Sequence, residues 1–229
     1  MKHELRFTTQ APRTKLETRA DGDEEAHSIS GYGAVFYREG DASTEYVLYD
    51  SPEYKVVERI MPGAFDDVLG DGDDILGLYN HDMNLLLGRT GSGTMKLSVD
   101  KTGLKYEIDP GDTSISRDVA THIERGDVDG SSFSFKPTSE KWSTEETVEV
   151  REIHNVRMLD VGPVTLPAYK GTTTAVRSED DCAEAMAAFA KMKEERSKKE
   201  DSETEEGKAL ANEVHARQMR AHLVSKDLT

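Results

Sequence analysis

Only one of the 229 residues, Cys182, is a cysteine. It can form no intrachain disulfide, and a cysteine-rich zinc module is excluded with it. Basic residues are scarce beside acidic ones. Lys and Arg total 29 against 45 Asp and Glu, for a formal charge of −16. Phosphate backbones and anionic headgroups are held by basic surface, so nucleic acid and membrane are poor candidates for the main partner. No apolar run approaches the roughly 20 residues of a membrane-spanning helix. Residues 1–7 lack the apolar stretch of a secretory signal. Hydrophobic residues make up 35% and charged residues 32%, so only part of the chain is expected to enclose a core. These absences read as a soluble, intracellular protein. They leave its activity to the motifs.

The texture changes along the chain. Residues 1–27 are polar and acidic, with one short strand expected around 5–8. Over 28–177, short apolar runs alternate with Gly, Asp and Pro turns, as in a mainly β domain. Strands are expected at 29–36, 46–49, 55–60, 75–79, 95–99, 104–108, 132–135 and 147–161. Asp100-Lys101-Thr102-Gly103 reads as the hairpin turn joining two of them. One internal helix is expected, because Ile115, Val119 and Ile123 recur at i, i+4, i+8 after the cap-like Thr113 and Ser114, and Gly126 ends it. A turn of helix is expected after Pro62-Gly63-Ala64-Phe65. Residues 179–196 form a further helical pattern, with Met186, Phe189 and Ala190 on one face. Residues 197–206 contain no apolar side chain and read as a solvated linker. Residues 207–229 carry four positive against two negative charges and a weak amphipathic pattern. The organisation that follows is an N-terminal segment 1–27, a domain 28–196 with a flanking helix, and a linker and tail 197–229.

Three residues could carry chemistry. His81 follows an apolar strand at its C-terminal edge, in Tyr79-Asn80-His81-Asp82. A strand end holds a side chain rigidly at a rim, which suits a general base, and an ordinary turn histidine fits the same position. In Gly130-Ser131-Ser132-Phe133-Ser134-Phe135, period two places Ser132 and Ser134 on one face and the phenylalanines on the other. That serine face is either open for chemistry or the polar side of a half-buried strand. Asp160 reads as sharing a strand face with Val156 and Met158. A carboxylate there needs a cationic or hydrogen-bonding partner, such as an imidazole N–H. His154 reads onto the same face, six residues and roughly 20 Å away along an extended strand. A Ser, a His and an Asp can make a nucleophile, its base and the group that orients the base. Their spacing in sequence does not bring them together.

Five blocks, in order, resemble the prohead serine proteases of tailed bacteriophages. They are Ile29-Ser30-Gly31-Tyr32-Gly33-Ala34-Val35-Phe36; Glu58-Arg59-Ile60-Met61-Pro62-Gly63-Ala64-Phe65; Leu78-Tyr79-Asn80-His81-Asp82 with Leu87-Gly88-Arg89-Thr90; Gly130-Ser131-Ser132-Phe133-Ser134-Phe135; and Leu159-Asp160-Val161-Gly162-Pro163-Val164-Thr165-Leu166-Pro167-Ala168-Tyr169. The resemblance covers roughly 28–177. The family's usual G-M-S-F-G-F reads differently here, which leaves a serine on each side of Ser132. Gly162-Pro163 also replaces the more usual Ser-x.

The resemblance implies a serine endopeptidase with Ser132 as nucleophile, His81 as base and Asp160 as third member, with His154 the other candidate for that place. It implies a mainly β (α+β) fold, an antiparallel β-barrel with flanking helices similar to the herpesvirus assembly proteases. No cofactor and no metal are implied. The implied substrates are scaffold segments of the major capsid protein, and the chain itself, cut inside the assembling prohead in the host cytoplasm. Self-association as a dimer is a further expectation. A non-catalytic scaffold or core protein of the prohead is the alternative. It would have no need of a Ser–His–acid set.

Overall fold

The computed structural model describes residues 3–8, 14–18, 27–52, 54–70 and 72–165. The helical pattern at 179–196 and the tail at 197–229 lie outside these residues. The described chain is mainly β, as expected. Its strands are β1 (Glu4–Thr8), β2 (Lys15–Thr18), β3 (His27–Val35), β4 (Tyr46–Asp50), β5 (Lys55–Ile60), β6 (Leu76–Leu78), β7 (Leu86–Arg89), β8 (Met95–Val99), β9 (Gly103–Ile108), β10 (Gly130–Glu145) and β11 (Val148–Val164). A short helix α1 (Asp66–Gly70) follows the Pro62-Gly63-Ala64-Phe65 block, and α2 (Ser114–Arg125) is the internal helix. Thr113 caps α2 by accepting the Ser116 N–H on its side chain, and Gly126 closes the helix at φ +78°. No described helix is long and apolar enough to cross a membrane.

Two sheets result. The larger runs β1-β10-β11-β5-β4, with β6 and β7 added beside the far end of β11. The smaller runs β2-β3-β9-β8. The N-terminal segment therefore contributes one strand to each. Among the described strands no ladder joins the edges of the two sheets, so they stay open and face each other through side chains instead of closing into one barrel. The point of closest approach is legible in a glycine. A Cβ on Gly33 of β3 would stand 2.4 Å from Val161 Cγ2 and 3.8 Å from Phe133 Cβ. Only hydrogen fits where β3 crosses β10 and β11.

Phe133 and Phe135 anchor β10 in the core between the sheets, both with no exposed surface. Their rings stack at 4.8 Å, and the Phe65 ring meets Phe133 edge-on at 5.9 Å. Burying a ring of this size is worth roughly 1.5–3 kcal/mol. The core residues of β10 thus pin the strand that carries Ser132.

Candidate active site

Ser132 lies between two strands, opposite Phe7 of β1 and Gly162 of β11. It has no exposed surface. Phe133 and Phe135 face the core, so Ser132 and Ser134 face the other side of the sheet, as period two predicts. Ser131 points into a buried hydroxyl cluster with Thr14 at 3.0 Å and Tyr106 at 2.9 Å. Burial pushes the Tyr106 phenol up to about 12, which keeps it neutral and able to donate. Ser131 is therefore tied into the interior, away from the imidazole.

Asp160 is placed differently from the reading of the sequence. Opposed residues of an antiparallel pair share a face. Phe133 opposes Val161 and Phe135 opposes Met158, and all four belong to the core. Ser134 opposes Asp160. Leu159 consequently has no opposite number on β10. This bulge reverses the alternation of β11, so Asp160 does not share a face with Val156 and Met158. It stands on the serine face, with 2% of its surface exposed. His154 is exposed, meets Glu152 at 3.2 Å, and takes no part in this cluster.

His81 arrives from the turn between β6 and β7. Asn80 and His81 both adopt left-handed backbone, at φ +53° and +58°. Two such residues in succession cost roughly 1–2 kcal/mol each without glycine, so the surroundings must hold them. Asn80 does so. Its N–H donates to the Pro163 carbonyl at 3.1 Å. Its side chain donates to Thr165 Oγ1 at 2.7 Å and accepts the Thr165 N–H at 2.9 Å. The end of β6 can lie this close to β11 because residue 162 is glycine. A Cβ there would stand 2.0 Å from the Leu78 carbonyl oxygen.

The three side chains converge. His81 Nδ1 is 2.5 Å from Asp160 Oδ1, and His81 Nε2 is 2.7 Å from Ser132 Oγ. An ionised carboxylate only accepts, so Nδ1 carries the proton that faces it. Nε2 is then free to accept the Ser132 hydroxyl proton. His81 keeps 14% of its side chain exposed, so the cluster is open to solvent from the imidazole side. The Arg6 carbonyl of β1 is a second acceptor within reach of the same hydroxyl, at 3.0 Å from Oγ.

Behind β1, on its core side, lies a buried charge cluster that no local sequence pattern signals. Arg6 has no exposed surface and binds Glu58 with both Nε and Nη2, the latter at 2.8 Å. It also binds Glu4 at 2.5 Å. Arg151 reaches Glu4 at 2.8 and 3.0 Å, Glu58 at 3.0 Å and Glu140 at 2.5 Å. Burial disfavours the Glu4 carboxylate, but the Arg151 hydrogen bonds and the charges of Arg6 and Arg151 outweigh it and hold the group down to about 2. Burial likewise works against both guanidiniums, and the Glu58 charge overrides it, so both stay charged. Glu58 and Arg59 open the second sequence block. Arg59 ties β5 to Glu145, at the tip of the β10–β11 hairpin, at 2.7 Å.

No curated protein and no solved structure matches this chain. Residues 14–187 match the caudovirus prohead serine proteases. That span covers β2 through β11 and every block of the sequence comparison. It carries Ser132, His81 and Asp160, and the chain belongs to the caudovirus prohead serine protease family.

Proposed function

We propose that this protein is the endopeptidase that matures a phage prohead, with Ser132 as nucleophile, His81 as general base and Asp160 as the residue that orients the base. The observation that carries the reading is one imidazole spanning 2.5 Å to Asp160 and 2.7 Å to Ser132. In the first half-reaction Ser132 Oγ attacks the scissile carbonyl carbon as its proton passes to His81 Nε2. The tetrahedral adduct collapses, the C–N bond breaks, and His81 returns that proton to the leaving amine. Water then enters and attacks the acyl carbon as it gives a proton to His81; the ester C–O bond to Ser132 breaks, His81 returns the proton to Oγ, and the acid leaves. Asp160 keeps the Nδ1 proton in place and faces the imidazolium while it exists.

Family membership supports a capsid protein as the partner and the assembling prohead as the place of action. The substrates we assign are the scaffold segment of the major capsid protein and the chain itself. We assign self-cleavage to the stretch 197–206, whose composition has no apolar side chain to bury. We assign 197–229, beyond the family-matched residues, to recruitment into the shell.

Purified full-length protein, mixed with a capsid–scaffold fusion, tests the assignment by gel and mass spectrometry. Ser132→Ala should abolish both cuts and leave the protein folded. Ser131→Ala and Ser134→Ala should still cut. Cleavage by the Ser132→Ala variant at the normal rate would sink the reading.

A further inference from the structure

Strand β1 precedes the family-matched residues, yet two of its residues touch the reacting pair. The Arg6 carbonyl is an acceptor within reach of the Ser132 hydroxyl, at 3.0 Å. The Phe7 ring meets the His81 ring edge-on, with centroids 6.3 Å apart and planes at 82°. We propose that β1 is a permanent wall of the active site, with Arg6 and Phe7 as positioning residues for the nucleophile and the base. This rests on the reading of Ser132 and His81 given above.

A serine side chain left to itself turns among three staggered wells. Here two acceptors flank one well, Nε2 at 2.7 Å and the Arg6 carbonyl at 3.0 Å. The single hydroxyl proton can turn from one to the other while Oγ itself stays in place for attack. His81 needs support of another kind. It comes from an exposed turn with left-handed backbone, and its ring is fixed at both nitrogens but not in tilt. An edge-on aromatic neighbour supplies that restraint.

The alternative is that β1 is a lid that leaves when substrate arrives. The charge cluster argues against it. Arg6 and Glu58 are both fully buried and bonded through two nitrogens. Peeling β1 away would take both Arg6 bonds from the buried Glu58 carboxylate and leave it Arg151, at 3.0 Å, as its one cationic partner among the described residues, which costs stability. Thr8 adds a second anchor, donating to the Gly33 carbonyl of β3 at 2.5 Å. A strand anchored through Arg6 and Thr8 as well as by its ladder to β10 stays put.

The test uses a fluorophosphonate on the full-length protein. Ser132 Oγ attacks phosphorus, fluoride leaves, and the hydroxyl proton passes to His81. The maximal labelling rate kinact and the half-saturating concentration KI are measured separately. Phe7→Ala should lower kinact by roughly 10- to 100-fold, the size expected of lost orientation, with KI unchanged within about twofold. Phe7→Tyr, which keeps the ring, should restore the rate. Arg6→Lys, which keeps the charge but not the two-pronged bond to Glu58, should lower kinact by less. A merely structural role would reduce the fraction of protein that labels and leave kinact of that fraction alone. Phe7→Ala labelling at the unaltered rate overturns the inference. Faster labelling overturns it too, and makes β1 a shield. If the natural protein does not label, or Ser132→Ala labels equally well, the proposed function itself has failed and the inference falls with it.

Discussion

Asp160 reaches His81 because one residue of β11, Leu159, has no partner on β10. Strict alternation puts Asp160 with Met158, on the core side, where it could not meet an imidazole. A bulge leaves no signature in a single sequence, so the identity of the acid was legible and its orientation was not. His81 and Ser132 were legible for local reasons. One sits in the turn just after an apolar strand, and the other alternates with two anchoring phenylalanines. Asn80 and Thr165 were not, since their clasp joins residues 85 positions apart. Asp160→Asn tests the acid. The amide keeps the shape, but its NH2 can face Nδ1 and turn the tautomer round, so that Nε2 no longer accepts. We expect kcat to fall by roughly 10²–10⁴-fold with KM little changed, as for a group that orients and stabilises a base. Full activity in steady-state peptide cleavage would remove Asp160 from the mechanism.

Strand β1 illustrates how an element can mislead. Its sequence, Glu4-Leu5-Arg6-Phe7-Thr8, alternates polar and apolar, and the ordinary rule turns Leu5 and Phe7 inward. The structure buries Glu4, Arg6 and Thr8 instead. Such an inversion is stable only because the buried charges pair with Glu58 and Arg151, residues far away in sequence that no local pattern connects. β2 and β7 also went unanticipated, being four residues each. β10 proved far longer than the expected 132–135, because a polar hairpin extends it to Glu145, whereas β11 falls close to the expected 147–161. The inverted strand gives a pH signature. Glu4 ionises at about 2 in the fold against an ordinary 4.5. A lowered folded value means stability that is complete above about pH 4.5 and disappears as the pH falls toward 2. Its size is on the order of 3 kcal/mol. Denaturant midpoints of the natural protein and Glu4→Gln should therefore differ clearly at pH 6 and draw together by pH 2.5. A gap that persists unchanged would show that the Glu4 charge contributes nothing.

For the whole chain, family-matched sequence ends at residue 187, and everything placed in the site lies before 166. The proposed recruiting role of 197–229 then predicts that chemistry and recruitment separate. A protein ending at residue 196 should cleave a soluble fusion at close to the full rate, yet be found in assembled shells at a small fraction of the normal amount. Equal packaging, measured by quantitative blotting of purified particles, would refute a recruiting tail. One feature of the sheet reaches further. β11, the last described strand, sits in its middle, with β10 on one side and β5 and β6 on the other. During synthesis, β5 and β6 wait for a neighbour that the ribosome has not yet made. His81 is translated well before Asp160 and Ser132 only shortly before it, but until β11 is made no ladder links β6 to β10. Contacts of such long sequence separation form late. On the proposed mechanism, His81, Ser132 and Asp160 therefore come together only once β11 is in place.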